Sequence, residues 1–442
     1  MKRYFTLLLF IWLPLALVVA QERPNIIVIV SDDAGYADFS FQSTKLTTTP
    51  NIDRIAQEGA KFTNAYVTAS VCSPSRAGLL SGTNQPEFGH IYNYIKGVEY
   101  SIQQHEYGIP HNIKTIGEYL QPLGYATAAF GKWHEGFAEE FQPEQKGFDH
   151  FWGFLWGANH YHTGKAIDVI DDGKPVDPTT IPYMTDAITD EALSFASAHE
   201  EDPFFLYIAY NAVHSPLEAK PEHIALYEGK FPDDPKREIL AAMTHSLDEN
   251  VGKIFNRLEA MGELDNTIIF FINDNGGSKH ISADNSPLKG YKGQLYEGGI
   301  RVPFAVRWPG KIKGKTVCHS ITSSLDILPS ILDAVGYTAR NLEGQSVLEL
   351  IHNPQNFEHR ELFWHTSQYG GAIRAGQWKL IIDQNGHELY HLGNDIGESN
   401  NLKETQPAEY QKLKGKYEQW LAQLPHPYFV PITGKNAWKE DN

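Results

Sequence analysis

Only two cysteines occur in 442 residues, Cys72 and Cys318, so at most one disulfide is available and the fold must rest on a packed core. Positive charge is also in deficit. The chain carries 37 Lys and Arg against 54 Asp and Glu, a formal net charge of −17. An acidic surface of this kind argues against nucleic acid as a partner. It offers no long-range attraction to an anionic substrate either, so such a substrate would need a locally basic pocket. Long apolar runs are missing after the first twenty residues, so no internal membrane span is expected. Internal repeats and low-complexity segments are also lacking, which excludes a solenoid or a disordered array.

The first twenty residues are of a different kind. Lys2-Arg3 precede an apolar run from Leu7 to Val19, and the small Ala20 stands before Gln21-Glu22-Arg23-Pro24. This pattern predicts a secretory signal peptide over 1–20, cleaved after Ala20, and a periplasmic or secreted protein. The apolar run is shorter than the about 20 residues a membrane span needs. No cysteine marks the cleavage point for a lipid, so no stable membrane anchor is expected. Loss of Lys2 and Arg3 with the leader takes the formal charge from −17 to −19. The remaining chain, about 420 residues, is too long for one small core. A large domain over 21–345 and a smaller one over 346–442 are expected.

What is present is a series of short, buried-looking strands. Ile26-Ile27-Val28-Ile29-Val30, Thr127 to Phe130, Phe204 to Ala209 and Thr267 to Ile272 are near-continuous apolar runs rich in β-branched and aromatic residues. Such runs suit strands covered on both faces, as in a parallel sheet. Helical patterns lie between them at Asn51 to Glu58, Asn112 to Leu120 and Arg237 to Met261. The alternation predicts an α/β sandwich with a mostly parallel mixed sheet flanked by helices. After about residue 345, short strands separated by Gly and Asn-Gly turns predict an antiparallel sheet, closed by a helix near Ala408 to Leu424.

Each buried strand ends in polar or charged residues: Asp32-Asp33, Lys132-Trp133-His134, Asn211 to His214, and Asp274-Asn275. In open α/β sheets ligands bind beyond the carboxyl ends of strands. Four strands therefore point chemistry at one edge. Adjacent carboxylates repel unless a cation neutralises them. Asp32, Asp33, Asp274 and Asn275 are hard oxygen donors of the sort Ca²⁺ takes, with Mg²⁺ the less suited ion because it demands a stricter octahedron. Taken singly, each pair also suits an ordinary strand-end turn.

Cys72-Ser73-Pro74-Ser75-Arg76, continued by Ala77-Gly78-Leu79-Leu80-Ser81-Gly82, resembles the signature of the type I, formylglycine-dependent sulfatases of the alkaline phosphatase superfamily. Gly131-Lys132-Trp133-His134, the His214-Ser215-Pro216 element and the run Tyr296 to Pro303 resemble further pieces of that family in the same order. The family often continues with Leu-Gly after the histidine, where this chain has Glu135-Gly136.

The resemblance implies an alkaline-phosphatase-like fold and hydrolysis of sulfate esters. It implies that a maturing enzyme oxidises Cys72 to formylglycine, whose hydrate attacks sulfur. Asp32, Asp33, Asp274 and Asn275, with the oxygen at residue 72, would hold the metal. Arg76 would brace residue 72 and the carboxylates; Lys132 and Lys292 would contact sulfate. Asp274 would take the proton of the attacking hydroxyl, and His214 would protonate the leaving oxygen. His134 would deprotonate the second hydroxyl so that C=O reforms and sulfate leaves. Cys318 is read as a small buried filler. A sulfated carbohydrate is the expected substrate. Trp152, Trp156, His160 and His162 suit either sugar-stacking subsites or plain packing. Two other readings stay open: a phosphate or phosphonate ester hydrolase of the same superfamily, and a non-catalytic glycan-binding relative.

Overall fold

Every residue of β1 (Asn25–Ser31) is buried. Ile26, Val28 and Val30 enter one apolar core and Ile27 and Ile29 another, so the strand is packed on both faces. This is why its sequence is apolar throughout rather than alternating. The computed structural model describes residues 23–43, 47–339, 342–366, 370–384 and 386–432; the expected signal peptide lies outside the described residues.

β1 sits in the middle of a ten-stranded sheet. Its other strands are β2 (Ala60–Phe62), β4 (Ala126–Lys132), β5 (His150–Phe154), β6 (Val169–Asp171), β7 (Lys174–Pro175), β8 (Phe204–Ala209), β9 (Thr267–Asn273), β10 (Phe304–Arg307) and β11 (Thr316–Cys318). The spatial order is β11-β2-β10-β9-β1-β8-β4-β5-β6-β7. The central run from β9 through β5 is parallel. β10 pairs antiparallel with β9, and β6 antiparallel with β5. A separate pair joins β3 (Ala65–Tyr66) to β12 (Thr322–Ser323).

Helices cover both faces. On one side lie α1 (Pro50–Glu58), α4 (Met184–Ala198), α5 (Pro221–Tyr227) and α6 (Pro235–Met261). On the other lie α2 (Cys72–Ser81), α3 (Ile116–Leu120), α8 (Ile327–Ala334) and α9 (Val347–His352). The short α7 (Glu297–Ile300) adjoins the second sheet. α3 is shorter than the expected helix from Asn112. Thr115 forms a capping box with Glu118, and that cap fixes the start at Ile116.

The second sheet is a four-stranded antiparallel meander, β13 (Glu361–His365), β14 (Gly370–Ala375), β15 (Trp378–Asp383) and β16 (Gly386–His391). One of its faces packs against Tyr66, Ile300 and Ile321. The other packs against Leu413 and Tyr417 of α10 (Pro407–Leu421). Cys72 and Cys318 are both free, and Cys318 is buried with its Sγ 3.6 Å from the Leu350 carbonyl. Among the described residues, no helix is long and apolar enough to cross a membrane.

Candidate active site

β1, β4 and β9 end at the same edge, and α2 begins there. Asp32 and Asp33 leave β1, Lys132 closes β4 with His134 just beyond it, and Asp274 and Asn275 follow β9. The backbone amide of Asp274 donates to the Ser31 carbonyl, which holds the β1 and β9 ends side by side. Asp33 and His134 both adopt φ of 65°, in the left-handed region. Non-glycine residues are held there only where the surroundings enforce it, commonly at functional sites.

Cys72 is the first residue of α2. Pro74 in that first turn removes a backbone N–H that would have no helical partner. The helix terminus and its dipole therefore face the site, an arrangement that favours an anion. Arg76, one turn on, lies fully buried on the same side. Its Nη2 and Nε donate to Asp274 Oδ2 at 2.8 and 3.0 Å, and its Nη2 lies 3.6 Å from Asp32 Oδ2.

Two lysines complete a ring. Lys132 Nζ lies 2.6 Å from Asp32 Oδ2. Lys292 Nζ lies 2.7 Å from Asp33 Oδ1 and donates to Cys72 Sγ at 3.1 Å. The nearby Lys289 instead stacks on Tyr296 and reaches Tyr390. Burial opposes ionisation of Asp32, but Lys132, His214, Arg76 and Lys292 outweigh it and hold its carboxyl well below the usual range. Burial and the charge of Asp32 raise Asp274 even against Arg76. Burial pushes the Cys72 thiol up to about 11, over the opposing pull of Lys132 and Lys292. An unmodified Cys72 would thus be a protonated thiol at neutral pH and a poor nucleophile.

The two histidines differ in their hydrogen bonds. His134 Nε2 contacts the Tyr94 carbonyl at 3.3 Å and must donate there, so Nδ1, buried without a partner, carries the lone pair. Burial and then Lys132 hold its pKa well below that of an ordinary imidazole, so it is neutral. Gly157 packs against this ring; a Cβ there would lie 2.6 Å from His134 Cε1. His214 Nδ1 donates to the Ser215 carbonyl at 2.6 Å, which turns Nε2 toward the site, 3.6 Å from Asp33 Oδ2.

Donor atoms of Asp32, Asp33, Cys72 and His214 all lie within 4.8 Å of one another. Asn275 Nδ2 donates to Asp33 Oδ1 at 2.8 Å, while its Oδ1 is buried with no donor. Three carboxylates, an orphaned amide oxygen and a strained backbone at one spot fit a hard divalent cation. With Arg76, Lys132 and Lys292 matched against Asp32, Asp33 and Asp274, the protein charges there cancel. A divalent ion would leave the surplus that an anionic ester needs.

Cys72, His134, His214 and Lys292 open into a cleft of about 450 Å³ with Asn93, Tyr94, Ile95, Lys96, Trp156 and Ile167. Of the four aromatic candidates, only Trp156 lies there, with Lys96 Nζ 5.4 Å over its ring. Trp152 is in the core, His160 pairs with Glu218, and His162 bridges to Tyr183. Two contributions carried no signal in the sequence. Tyr94 and Lys96 come from an irregular loop. Glu135 is buried with His90 Nε2 3.7 Å from one of its oxygens, and burial raises its carboxyl well above the usual range against the pull of Arg76.

Fold and site together define a hydrolase of the alkaline phosphatase superfamily. The chain belongs to the sulfatase family, a family of sulfuric ester hydrolases, whose model matches residues 24–337. The model described as N-sulphoglucosamine sulphohydrolase, C-terminal, matches residues 291–426. N-acetylgalactosamine-6-sulfatase of Mus musculus is 31% identical over 414 residues, 87% of this chain and 77% of that protein. A sulfatase of Formosa agariphila is 28% identical, over 95% of this chain and 92% of its own length. The crystal structure of Ps i-CgsB matches with a TM-score of 0.85 and 32% identity, covering 92% of this chain and 94% of that one. A second structure, of Ps i-CgsB in complex with k-i-k-neocarrahexaose, matches equally well.

Proposed function

We propose that this sulfatase acts on a sulfated carbohydrate, through formylglycine formed from Cys72 and with Ca²⁺ as its metal. The observation that carries the reading is the ring of Arg76, Lys132 and Lys292 interleaved with Asp32, Asp33 and Asp274 around residue 72. The thiol held up at about 11 supports conversion, because it is not itself a competent nucleophile. The mammalian relative's activity on an N-acetylgalactosamine sulfate and the carrageenan-type oligosaccharide bound by Ps i-CgsB support a sulfated glycan here. The leader-like residues 1–20 support export, and with it glycan breakdown outside the cytoplasm.

Formylglycine would supply a hydrated carbonyl with two hydroxyls, and the cation would lower the pKa of a bound hydroxyl and offset anionic charge. Asp32, Asp33, Asp274 and Asn275 would hold that cation. Lys132 and Lys292 would bind and orient the sulfate oxygens, and Arg76 would keep Asp274 and the first turn of α2 in register. His214 would deliver a proton from Nε2 to the departing oxygen. His134, neutral with Nδ1 free, would accept one. Trp156 offers an aromatic face for a sugar ring, and Lys96 beside it a cation for a second acidic group.

The test is desulfation of a panel of sulfated oligosaccharides by protein made with a formylglycine-generating enzyme, with peptide mass spectrometry at residue 72 and metal analysis. The expected outcome is sulfate release that requires the aldehyde at residue 72 and is abolished by chelation. Full activity with an unmodified thiol, or in demonstrably metal-free protein, overturns the reading. Phenylphosphonate esters cleaved in preference to aryl sulfates would move the substrate to phosphorus.

A further inference from the structure

Away from the catalytic edge, α5 and α6 bring three metal-ligating side chains together. His245 and Glu249 stand one turn apart on α6, and His223 approaches from α5. His223 Nε2 lies 3.0 Å from Glu249 Oε2, and His245 Nε2 lies 3.5 Å from Glu249 Oε1. One donor atom from each of the three falls within 4.8 Å of the other two. A tetrahedral zinc ion with bonds of about 2.1 Å has its ligand atoms roughly 3.4 Å apart, so these spacings need only small side-chain adjustments.

The hydrogen bonds of His223 suit that role. Ser246 Oγ donates back along its own helix to the Ala242 carbonyl at 3.2 Å. In the tautomer that a ligating His223 needs, Nδ1 donates to Ser246 Oγ, 2.6 Å away, and Nε2 presents its lone pair toward Glu249. His223 is buried, and its Nε2 lies 3.0 Å from a Glu249 oxygen, so a cation between them would take one donor atom from each. The Ser246 contact is the sort of outer hydrogen bond that fixes the tautomer of a ligating histidine.

We propose that His223, His245 and Glu249 form a second metal site, for a divalent transition ion of the zinc class, with water completing its coordination. Two imidazoles and one carboxylate suit Zn²⁺, Ni²⁺ or Cu²⁺ better than Ca²⁺, which takes oxygen donors. Glu249 is half-exposed and His245 partly so, which leaves the ion a path in and a face for water. The site fastens the seven-residue α5 to the long α6. α5 follows directly on the segment from His214 to Lys220, so the ion acts as a clip on the stretch that carries His214, without touching the cleft.

Calorimetric titration of ZnCl₂ into the full chain, already loaded with Ca²⁺, tests the site. The expected result is one Zn²⁺ per chain beyond any exchange at the catalytic centre, with a raised unfolding temperature. His245→Ala and Glu249→Ala, both on the solvent side of α6, should each weaken that binding about tenfold or more, and Ser246→Ala should weaken it less. Co²⁺ in place of Zn²⁺ should give visible absorption of a nitrogen- and oxygen-ligated ion, lost in His245→Ala. Zn²⁺ binding that is undetectable, or equal in the wild type and both variants, overturns the proposal. Because the readout is binding in folded protein, failure here leaves the catalytic reading untouched, and failure of that reading leaves this one standing.

Discussion

His134 and His214 line one cleft, but their partners fit them for opposite proton transfers. His134 gives its Nε2 proton to the Tyr94 carbonyl and keeps a buried lone pair on Nδ1; His214 gives its Nδ1 proton to Ser215 and keeps Nε2 at the site. A general acid matters most when the leaving group is a poor one, and contributes about 10²–10⁴-fold. His214→Ala should therefore lower kcat/KM on a sugar sulfate by about that factor, and on nitrophenyl sulfate far less. His134→Ala should behave otherwise, because its proton transfer follows departure of the leaving group. It should lower kcat with little change in kcat/KM on nitrophenyl sulfate, and show a burst of nitrophenolate near one per active site. Steady-state and stopped-flow kinetics on the two substrates check both. Equal losses on both substrates, with no burst, would mean that the two roles are wrongly assigned even within a working sulfatase.

At the scale of elements, the wall of the cleft is held by a segment far away in sequence. Phe429, fully buried, packs against Tyr94, Tyr100 and Tyr107, with ring centroids 5.3–6.3 Å apart. The Ser101 amide donates to Val430 and the Ile432 amide to Glu99, both at 2.9 Å. The chain after α10 thus ties down the loop that offers the Tyr94 carbonyl to His134. Phe429→Ala should cost about 3–5 kcal/mol, the usual range for emptying a buried aromatic site. It should also lower kcat at temperatures where far-ultraviolet circular dichroism shows the fold intact, because the His134 clamp loosens before the sheet does. A stability loss with kcat unchanged would show that the tail supports the fold but not the histidine. Nothing in the sequence announced this contact. An aromatic cluster closed across more than 300 residues has no local period, whereas the strand runs and the meander after residue 345 carry their period within a few residues. The capping box at Thr115 and Glu118, by contrast, is a local signal, and it sets the start of α3.

At the scale of the whole molecule, what could be read in advance was what repeats or ends locally. β1, β4, β8 and β9 declared themselves because strands packed on both faces are apolar nearly throughout, and the Asp, Lys, His and Asn residues at or just past their ends converge because parallel strands end at one edge. The strand order from β11 to β7 and the antiparallel insertion of β10 are set by long-range packing, so they were not legible. The same limit explains Trp152, which shares its short segment with Trp156. Positions 152 and 156 would share a face on a continued strand, but β5 ends at Phe154, and the bend after it carries Trp156 to the cleft while Trp152 stays in the core. Charge is the other whole-molecule property. The chain is formally −17, yet the cleft is built around Arg76, Lys132 and Lys292. Beyond a Debye length the substrate meets the net charge, and within it the basic residues. At about 10 mM salt, where the Debye length is about 30 Å, an anionic substrate should be repelled during approach. Raising the ionic strength to about 150 mM should therefore increase kcat/KM, and more steeply for a polysulfated oligosaccharide than for the monoanion nitrophenyl sulfate. Initial rates at low substrate across a salt series, with Ca²⁺ held constant, measure it. A fall in kcat/KM with salt for the oligosaccharide would mean that the local basic field reaches past the acidic surface and steers the substrate in.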